Sequence, residues 1–159
     1  MTEARAELCP NSFLALADRM TAASGEIVAR YFRTPVTVDE KADESPVTIA
    51  DRTVEAAIRD LIASHCPGHG IVGEEYGTEN PDAEFVWVID PIDGTKSFIS
   101  GVPLFGTLIA LLQGGVPILG VVDHPALGER WIGARGHGTT HNGKRVTTRA
   151  CAGIGGATL

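Results

Sequence analysis

Residues 85–95 read FVWVIDPIDGT, an apolar run that ends in two aspartates, a glycine and a threonine. The first five residues have the aromatic and β-branched composition of a strand. Pro91 fixes its φ and Gly94 permits unusual φ values, so the chain can turn sharply enough to aim Asp90 and Asp93 at a common point. The stretch therefore predicts a strand that delivers acidic groups to a fixed place in the fold.

Two amphipathic helices are predicted before the main run of strands. Apolar residues recur at helical spacing over residues 13–31, after Asn11 and Ser12, either of which could cap the helix. A second helical pattern begins near Asp51 and stops before Cys66, where a Pro-Gly pair follows. Helical segments therefore come first along the chain.

From Ile71 onward, short β-rich runs alternate with turn residues. The strands predicted after residue 89 are 107–112, 118–122, 130–134, 139–141 and 144–147. Hairpins are indicated by Gln113-Gly114-Gly115 and by Asn142-Gly143, because Asn-Gly suits a turn whose central residues both need positive φ. Helices first and strands afterwards predict an α+β fold, with two N-terminal helices packed on a mostly antiparallel sheet.

Composition and charge restrict the classes of function. The 159 residues are 43% hydrophobic, which is enough for one globular domain with its own core. The net charge of -7 argues against nucleic-acid or anionic-membrane partners, since both need clustered Lys and Arg. Three cysteines without a short-spaced pair fit a reducing compartment, and no apolar run is long enough to span a bilayer. A cytoplasmic location without a membrane anchor is expected.

Oxygen donors are predicted to converge at the end of the strand. The Ile92 carbonyl could join Asp90 and Asp93 there, and Glu74 could add a carboxylate from a neighbouring strand end. Such donors suit Mg²⁺, which takes one or two protein carboxylates per ion and fills its other positions with water and substrate phosphate. A cation would also remove the repulsion between clustered carboxylates and let an acidic protein accept an anionic phosphate. The pattern favours a Mg²⁺ and phosphate site.

A simpler interpretation stays open for both acidic segments. Asp-x-x-Asp-Gly-Thr is also typical of an ordinary turn or helix cap, and Gly73-Glu74-Glu75 is also typical of a solvated acidic loop. In the functional interpretation, the Gly94 and Thr95 amides could cradle a phosphate if a helical turn begins there.

A nucleotide-binding interpretation of residues 138–144 is not favoured. The segment has the spacing of a phosphate-binding P-loop, but Arg145 stands where Ser or Thr should hold Mg²⁺, and strand-like residues follow instead of a helix. A hairpin turn explains the Asn-Gly pair more simply.

The acidic segments resemble the signature of the inositol monophosphatase-like phosphatases. Residues 90–95 and 73–75 are similar to that signature, residues 41–51 resemble the family's lysine and its Ser-Pro-Val-Thr-x-Ala-Asp segment, and residues 131–143 resemble its closing hairpins. The similarity covers nearly the whole chain. It implies the first half of a sugar-phosphatase-type αβαβα fold and an enzyme that hydrolyses phosphate monoesters with Mg²⁺.

The resemblance assigns metal ligands residue by residue. It implies that Glu74, Asp90 and the Ile92 carbonyl hold a first Mg²⁺ and that Asp93 helps to hold a second, within a set of two or three ions. The implied mechanism is metal-assisted hydrolysis, in which one ion lowers the pKa of a bound water and another neutralises charge on the departing oxygen. A covalent phosphoenzyme is not needed.

Catalytic and substrate-binding residues follow from the same resemblance. Glu74 and Thr95 are implied to orient the attacking water, and Asp51 is implied to support the cluster from the start of the second helix. The residues implied to bind the substrate are Asp93, Gly94, Thr95 and Lys41. Without the resemblance, Lys41 would be interpreted as a solvated surface charge.

Four further segments resemble the histidinol-phosphatase branch, namely 75–77, 95–99, 103–107 and 127–131. The expected substrate is therefore histidinol phosphate, a small-molecule phosphate monoester of histidine biosynthesis. Inositol monophosphatases more often have Asn where Ser97 stands, yet inositol phosphate, or a related sugar or nucleotide phosphate, remains the alternative. The resemblance also implies a homodimer.

The resemblance predicts a division of the chain. Residues 1–147 correspond to an N-terminal α+β metal-binding domain, and residues 148–159 are expected to begin a C-terminal α/β domain that in the family continues for roughly another hundred residues. That half carries a Trp-Asp motif, whose aspartate completes the second metal site, and most contacts to the alcohol part of the substrate. The alternative to a phosphatase is a catalytically incomplete metal-binding fragment; in either case an exposed apolar face is expected.

Overall fold

One eight-stranded sheet and two long helices dominate residues 8–40 and 46–157, the part of the chain that the computed structural model describes. The helices are α1 (Asn11–Tyr31), α2 (Ile49–His65) and the short α3 (Thr95–Ile99). The strands are β1 (Val38–Glu40), β2 (Pro46–Thr48), β3 (Gly70–Gly73), β4 (Thr78–Glu79), β5 (Phe85–Asp93), β6 (Gly106–Gln113), β7 (Val116–His124), β8 (Glu129–Ala134), β9 (Gly138–His141) and β10 (Lys144–Val146). The predicted α+β fold is confirmed.

The large sheet has the strand order β10-β9-β8-β7-β6-β5-β3-β4, while β1 pairs with β2 apart from it. Every pair in the large sheet is antiparallel except β3 with β5. The β6–β7 and β9–β10 hairpins turn through Gly114-Gly115 and Asn142-Gly143, and all four residues have positive φ. The mostly antiparallel sheet and both hairpins are therefore as predicted, and the hairpin interpretation of residues 138–144 is confirmed.

The core lies between the two long helices and the sheet. Side chains from both helices and from the central strands form one buried cluster, which includes Met20, Val28, Ile58, Ile62, Trp87, Ile109 and Leu111. Full burial of each such side chain contributes roughly 1.5–3 kcal/mol. The three cysteines, Cys9, Cys66 and Cys151, are free thiols.

The helix starts differ from the prediction in an instructive way. Neither Asn11 nor Ser12 caps α1, because the chain enters through Pro10 and both residues already lie in the first turn. Helix α2 begins two residues before Asp51. Its N-cap is Thr48, whose side chain accepts a hydrogen bond from the Ala50 amide, while Asp51 accepts one from the Thr48 amide in a capping box. Asp51 is therefore tied to the helix start that it was predicted to occupy.

Some elements were not predicted. The short strands β1, β2 and β4 and the five-residue helix α3 lack the length that a periodic pattern needs, and β5 continues through Asp93, beyond the predicted end at residue 89. Within the described residues, no helix combines the length and apolarity that crossing a bilayer requires. The division of the chain near Thr147 stays a prediction.

The sheet carries an apolar patch that nothing in the described chain covers fully. Val122 on β7 and Trp131 on β8 stand opposite each other in the antiparallel register, and each remains 38% exposed. Trp87, by contrast, lies within the core. Whether this patch is the exposed apolar face expected toward a further domain stays a prediction.

Candidate metal and phosphate site

A bulge at the end of β5 shapes the site. Asp90 pairs with Leu108 and Asp93 pairs with Gly106, so three steps along β5 match only two along β6. The extra residue changes the direction of the strand where the acids stand. Pro91 and Ile92 are buried, whereas Asp93 is exposed. The predicted sharp turn between the two aspartates is therefore a β-bulge within a strand.

A chain of buried hydroxyls fixes this bulge to α1. Thr107 on β6 donates a hydrogen bond to the Pro91 carbonyl at 2.9 Å, and the Ser24 hydroxyl lies 2.5 Å from that of Thr107. Both side chains are buried. Sequence reasoning missed this pair, although a serine among the mostly apolar buried positions of a helix was a usable signal. These hydrogen bonds thus fix the path of the backbone between Asp90 and Asp93 from the side of α1.

A helical turn begins immediately after the bulge. Gly94 has φ +87, in the left-handed region, and α3 starts at Thr95. A Cβ at Gly94 would also come within 3.0 Å of the Leu104 carbonyl oxygen, so glycine is required there by conformation and by space. The sequence analysis required a helical turn here for the Gly94 and Thr95 amides to cradle a phosphate, and that turn is present.

Thr95 connects the bulge to α2. Its hydroxyl lies 3.0 Å from the Ile92 carbonyl oxygen and 3.4 Å from Asp51 Oδ1, either of which can accept its proton. Asp51 is buried and also accepts hydrogen bonds from the amide and hydroxyl of Thr48. Burial raises the pKa of Asp51, while the hydrogen bonds from Thr48 and Thr95 act in the opposite direction. Three of the predicted residues are therefore in one hydrogen-bonded group.

The surroundings of Asp90 strongly perturb its pKa. Burial raises the pKa of Asp90 to about 7, with further contributions from a hydrogen bond to Glu74 and from the charges of Glu74, Asp93 and Asp51. A hydrogen bond between two carboxyl groups requires that one of them holds a proton. The structure therefore brings the predicted acids close enough to oppose one another's ionisation.

The oxygen donors at this site are of the type that binds a hard cation, and one of them lacks a hydrogen-bond partner. Asp90 Oδ1 is buried and has no hydrogen-bond partner among the described residues. A cation at this point would satisfy that oxygen and would relieve the repulsion that keeps the carboxyl protonated. Within residues 8–40 and 46–157, however, no three His, Cys, Asp or Glu side chains stand together as a ready-made metal cluster. The Glu74 and Asp93 side chains are exposed, although Glu74 is already hydrogen-bonded to Asp90.

One predicted substrate-binding residue cannot be placed. Lys41 lies outside the described residues. The other predicted site residues come from α2, the end of β3, the bulge of β5 and the start of α3. Their shared location supports the functional interpretation of these acids over that of unrelated surface turns.

Comparison with known proteins shows which family this chain belongs to. A profile of the inositol monophosphatase family matches residues 10–158. The chain belongs to the inositol monophosphatase family. Members generally depend on Mg²⁺. The resemblance seen in the acidic segments is confirmed.

Three relatives show how much of the family the chain represents. It is 51% identical over 141 residues to the bifunctional phosphatase IMPL2, chloroplastic, of Arabidopsis thaliana, covering 87% of this chain and 41% of the relative. It is 47% identical over 126 residues to the histidinol-phosphatase of Mycobacterium tuberculosis, covering 79% of this chain and 47% of the relative. The structure of an inositol monophosphatase from Zymomonas mobilis superposes with a TM-score of 0.75 at 45% identity, covering 89% of this chain and 54% of that one. The chain spans about half the length of these inositol monophosphatase relatives.

Proposed function

We propose that the complete natural protein containing this chain hydrolyses phosphate monoesters with Mg²⁺, at the group formed by Glu74, Asp90, Asp93 and the Ile92 carbonyl. The observation that carries the proposal is the buried Asp90 Oδ1, which lacks a hydrogen-bond partner among the described residues while three other acids act on the same carboxyl. A purely structural turn would gain stability by pairing or exposing that oxygen.

When bound, Mg²⁺ would lower the pKa of a coordinated water and offset charge on the departing oxygen, with two or three ions in the complete site. The residues of this chain have separate tasks. The Thr95 hydroxyl donates a hydrogen bond to Asp51 or to the Ile92 carbonyl. The lone pairs of the Thr95 oxygen are then free to accept a hydrogen bond from the attacking water. Glu74 holds the other side of that water. Asp51 keeps the Thr95 hydroxyl aligned from the first turn of α2.

The phosphate is proposed to lie against the turn at Gly94 and Thr95, with Asp93 at its edge. Lys41 is proposed as a further phosphate contact, because the resemblance of residues 41–51 to the family implies that this lysine binds substrate. Histidinol phosphate is the proposed substrate, because the segments around the acids resemble the histidinol-phosphatase branch and a relative 47% identical bears that name. Inositol phosphate is the second candidate, favoured by the family itself and by the Zymomonas mobilis relative.

The remaining features of the whole protein are proposals as well. We place the substrate's alcohol contacts and the aspartate that completes the second metal site in a further α/β domain that begins near residue 148. We propose a homodimer, as the family resemblance implies, in the cytoplasm, which the unpaired cysteines fit. The net charge of -7 fits a protein with no nucleic-acid or membrane partner.

Steady-state kinetics of the complete natural protein tests this proposal. Phosphate release is followed with histidinol phosphate and with inositol 1-phosphate as substrates, with Mg²⁺ and with excess chelator. We expect release to need Mg²⁺ and kcat/KM to be at least about 10-fold higher for histidinol phosphate. The reverse preference would replace the substrate assignment, and absence of turnover with both compounds would favour the non-catalytic metal-binding alternative.

A further inference from the structure

Glu55 is a fully buried acid that the site described so far does not use. It lies on α2, one turn after Asp51, and its relative exposure is 0%. Its neighbours on the same face of the helix, Val54 and Ile58, are buried apolar residues. A carboxylate in such a position is costly unless it is hydrogen-bonded, so its partners indicate why it is there.

The partners of Glu55 are the backbone of the segment that carries Glu74. Glu55 Oε2 accepts a hydrogen bond from the Glu75 amide at 2.6 Å, and Oε1 accepts one from the Tyr76 amide at 3.1 Å. Hydrogen bonds from backbone amides to a carboxylate are among the stronger ones in proteins. Glu55 therefore holds the two residues that directly follow Glu74.

Arg59 completes this contact from the next turn of α2. Its Nε donates to Glu55 Oε1 at 2.8 Å, and its terminal nitrogen donates to the Gly77 carbonyl. The Gly77 carbonyl also accepts a hydrogen bond from the Gly73 amide at 3.0 Å, which closes the segment into a loop. We call the two α2 side chains Glu55 and Arg59, with the backbone of 73–77, the clasp.

Gly73 provides the space that the clasp requires. A Cβ at this position would overlap the Glu55 carboxylate and would lie 2.7 Å from the Arg59 guanidinium. Gly73 is extended backbone within β3 and has no positive φ that would otherwise demand glycine. The first residue of the Gly-Glu-Glu segment is therefore glycine because the clasp passes over it.

We propose that Glu55 is a positioning residue that sets the Mg²⁺ affinity of the site by holding Glu74 in register with Asp51. Both acids then depend on one helix: Asp51 stands in its first turn, and the clasp fixes the backbone that carries Glu74 one turn later. Glu74 directly precedes the two amides that Glu55 holds, so the clasp sets the backbone position from which the Glu74 side chain extends. This inference rests on the proposed function.

The test replaces Glu55 by Gln in the complete natural protein. Gln has the same shape but places an NH₂ group against a backbone donor, so at least one loop amide loses its acceptor. We expect the Mg²⁺ dissociation constant measured by calorimetry to rise about 10–100-fold, as for other residues that orient metal ligands. The Mg²⁺ concentration for half-maximal turnover should rise with it, while kcat at saturating Mg²⁺ stays within about threefold of the original protein.

Gly73→Ala disturbs the same clasp from the other side and should give the same rise in both Mg²⁺ constants. Two matched controls should change neither constant: Asp60→Asn, an exposed acid on α2, and Gly120→Ala, a strand glycine where a Cβ meets nothing within 4 Å. If Glu55→Gln does not fold, Gly73→Ala and Arg59→Lys decide the question by the same readouts.

The outcomes separate the clasp from the proposed function. Variants that lose thermal stability but keep the original Mg²⁺ dissociation constant would show that Glu55 is only structural and would overturn the inference. A protein that shows no phosphatase turnover, yet binds Mg²⁺ more weakly after Glu55→Gln, would keep the clasp and remove the proposed function. A protein that binds no Mg²⁺ at all would contradict both.

Discussion

The two aspartates of the β5 bulge, Asp90 and Asp93, differ in burial and in their electrostatic surroundings. The pKa of Asp90 is raised to about 7 by burial and by its acidic neighbours, whereas the exposed Asp93 stands three residues further along the same strand. The two aspartates of one motif therefore lie in different environments. We interpret Asp90 as the partly buried ligand that requires a cation and Asp93 as the ligand that solvent and substrate can reach.

Replacing Asp93 by Asn tests the second of these roles. The change keeps the volume of an exposed side chain but removes a charged ligand, so we expect Mg²⁺-dependent phosphate release by the complete protein to fall more than about 100-fold, beyond the range usual for residues that only orient ligands. The thermal unfolding midpoint should not change. Asp82→Asn, an exposed turn acid, serves as the control. Near-original turnover in Asp93→Asn would refute the assignment.

His69 provides a prediction about pH. Trp87 Nε1 donates a hydrogen bond to His69 Nδ1 at 3.1 Å, and the His69 ring stacks on Phe85 with centroids 5.0 Å apart. Because the indole N–H only donates, His69 Nδ1 must be the unprotonated nitrogen. Burial lowers the pKa of His69 below its usual 6.5, against a smaller opposite effect of Glu84.

The folded state therefore disfavours protonated His69. Its contribution to stability is complete above the unfolded-state pKa of 6.5 and is lost as the pH falls through the lower folded-state value. The raised pKa of Asp90 acts with the opposite sign, but it is common to the original protein and to His69→Gln. Urea unfolding from pH 7.5 to 5 should thus show a steeper loss of stability in the original protein than in His69→Gln. Parallel pH profiles would contradict this role.

Sequence reasoning identified the candidate site residues that belong to local motifs and missed the polar contacts that act across the fold. Asp90, Asp93 and Glu74 follow strand patterns that are visible within a few residues. The Ser24–Thr107 contact joins positions 83 residues apart, and the Glu55 contacts join a helix to a loop 20 residues later. Ser24, Thr107 and Glu55 are buried polar residues whose partners become neighbours only when the chain folds.

At the scale of elements, α1 and α2 support the site from different sides. Helix α2 carries Asp51 and the two side chains of the clasp, and α1 reaches the β5 bulge through the hydroxyls of Ser24 and Thr107. The long helices and most strands of the sheet were predictable because their apolar periods extend over many residues. The strands β1, β2 and β4, together with α3, were not, since two to five residues carry no measurable period and, unlike the short β9 and β10, they adjoin no Asn-Gly hairpin signal.

Thr107→Val tests the hydroxyl chain. Valine has nearly the same shape, but it leaves the Pro91 carbonyl without this donor and Ser24 without its partner, so we expect a loss of about 1–3 kcal/mol in the free energy of unfolding. Ser24→Ala should cost less in the Thr107→Val background than in the original protein, giving a coupling of roughly 0.5–3 kcal/mol by urea denaturation. Thr139→Val, at an exposed strand position, should change stability by less than about 0.5 kcal/mol. Additive effects of Ser24→Ala and Thr107→Val would show that the two hydroxyls act independently.

At the scale of the whole molecule, the chain presents a group of candidate ligands on a fold that spans about half the length of its relatives. Asp90, the Ile92 carbonyl and Thr95 are fixed by the bulge and by α3, while Glu74 and Asp93 remain exposed. The central claim is that this group, although not assembled into a metal cluster among the described residues, is where a cation binds.

The most direct test is anomalous X-ray diffraction from crystals of the complete natural protein grown with Mn²⁺ in place of Mg²⁺. Mn²⁺ accepts the same oxygen ligands and is visible by its anomalous signal. We predict a peak bounded by the carboxylates of Glu74 and Asp90 and by the Ile92 carbonyl. Density that is absent at saturating Mn²⁺, or that lies at other residues, would contradict the account.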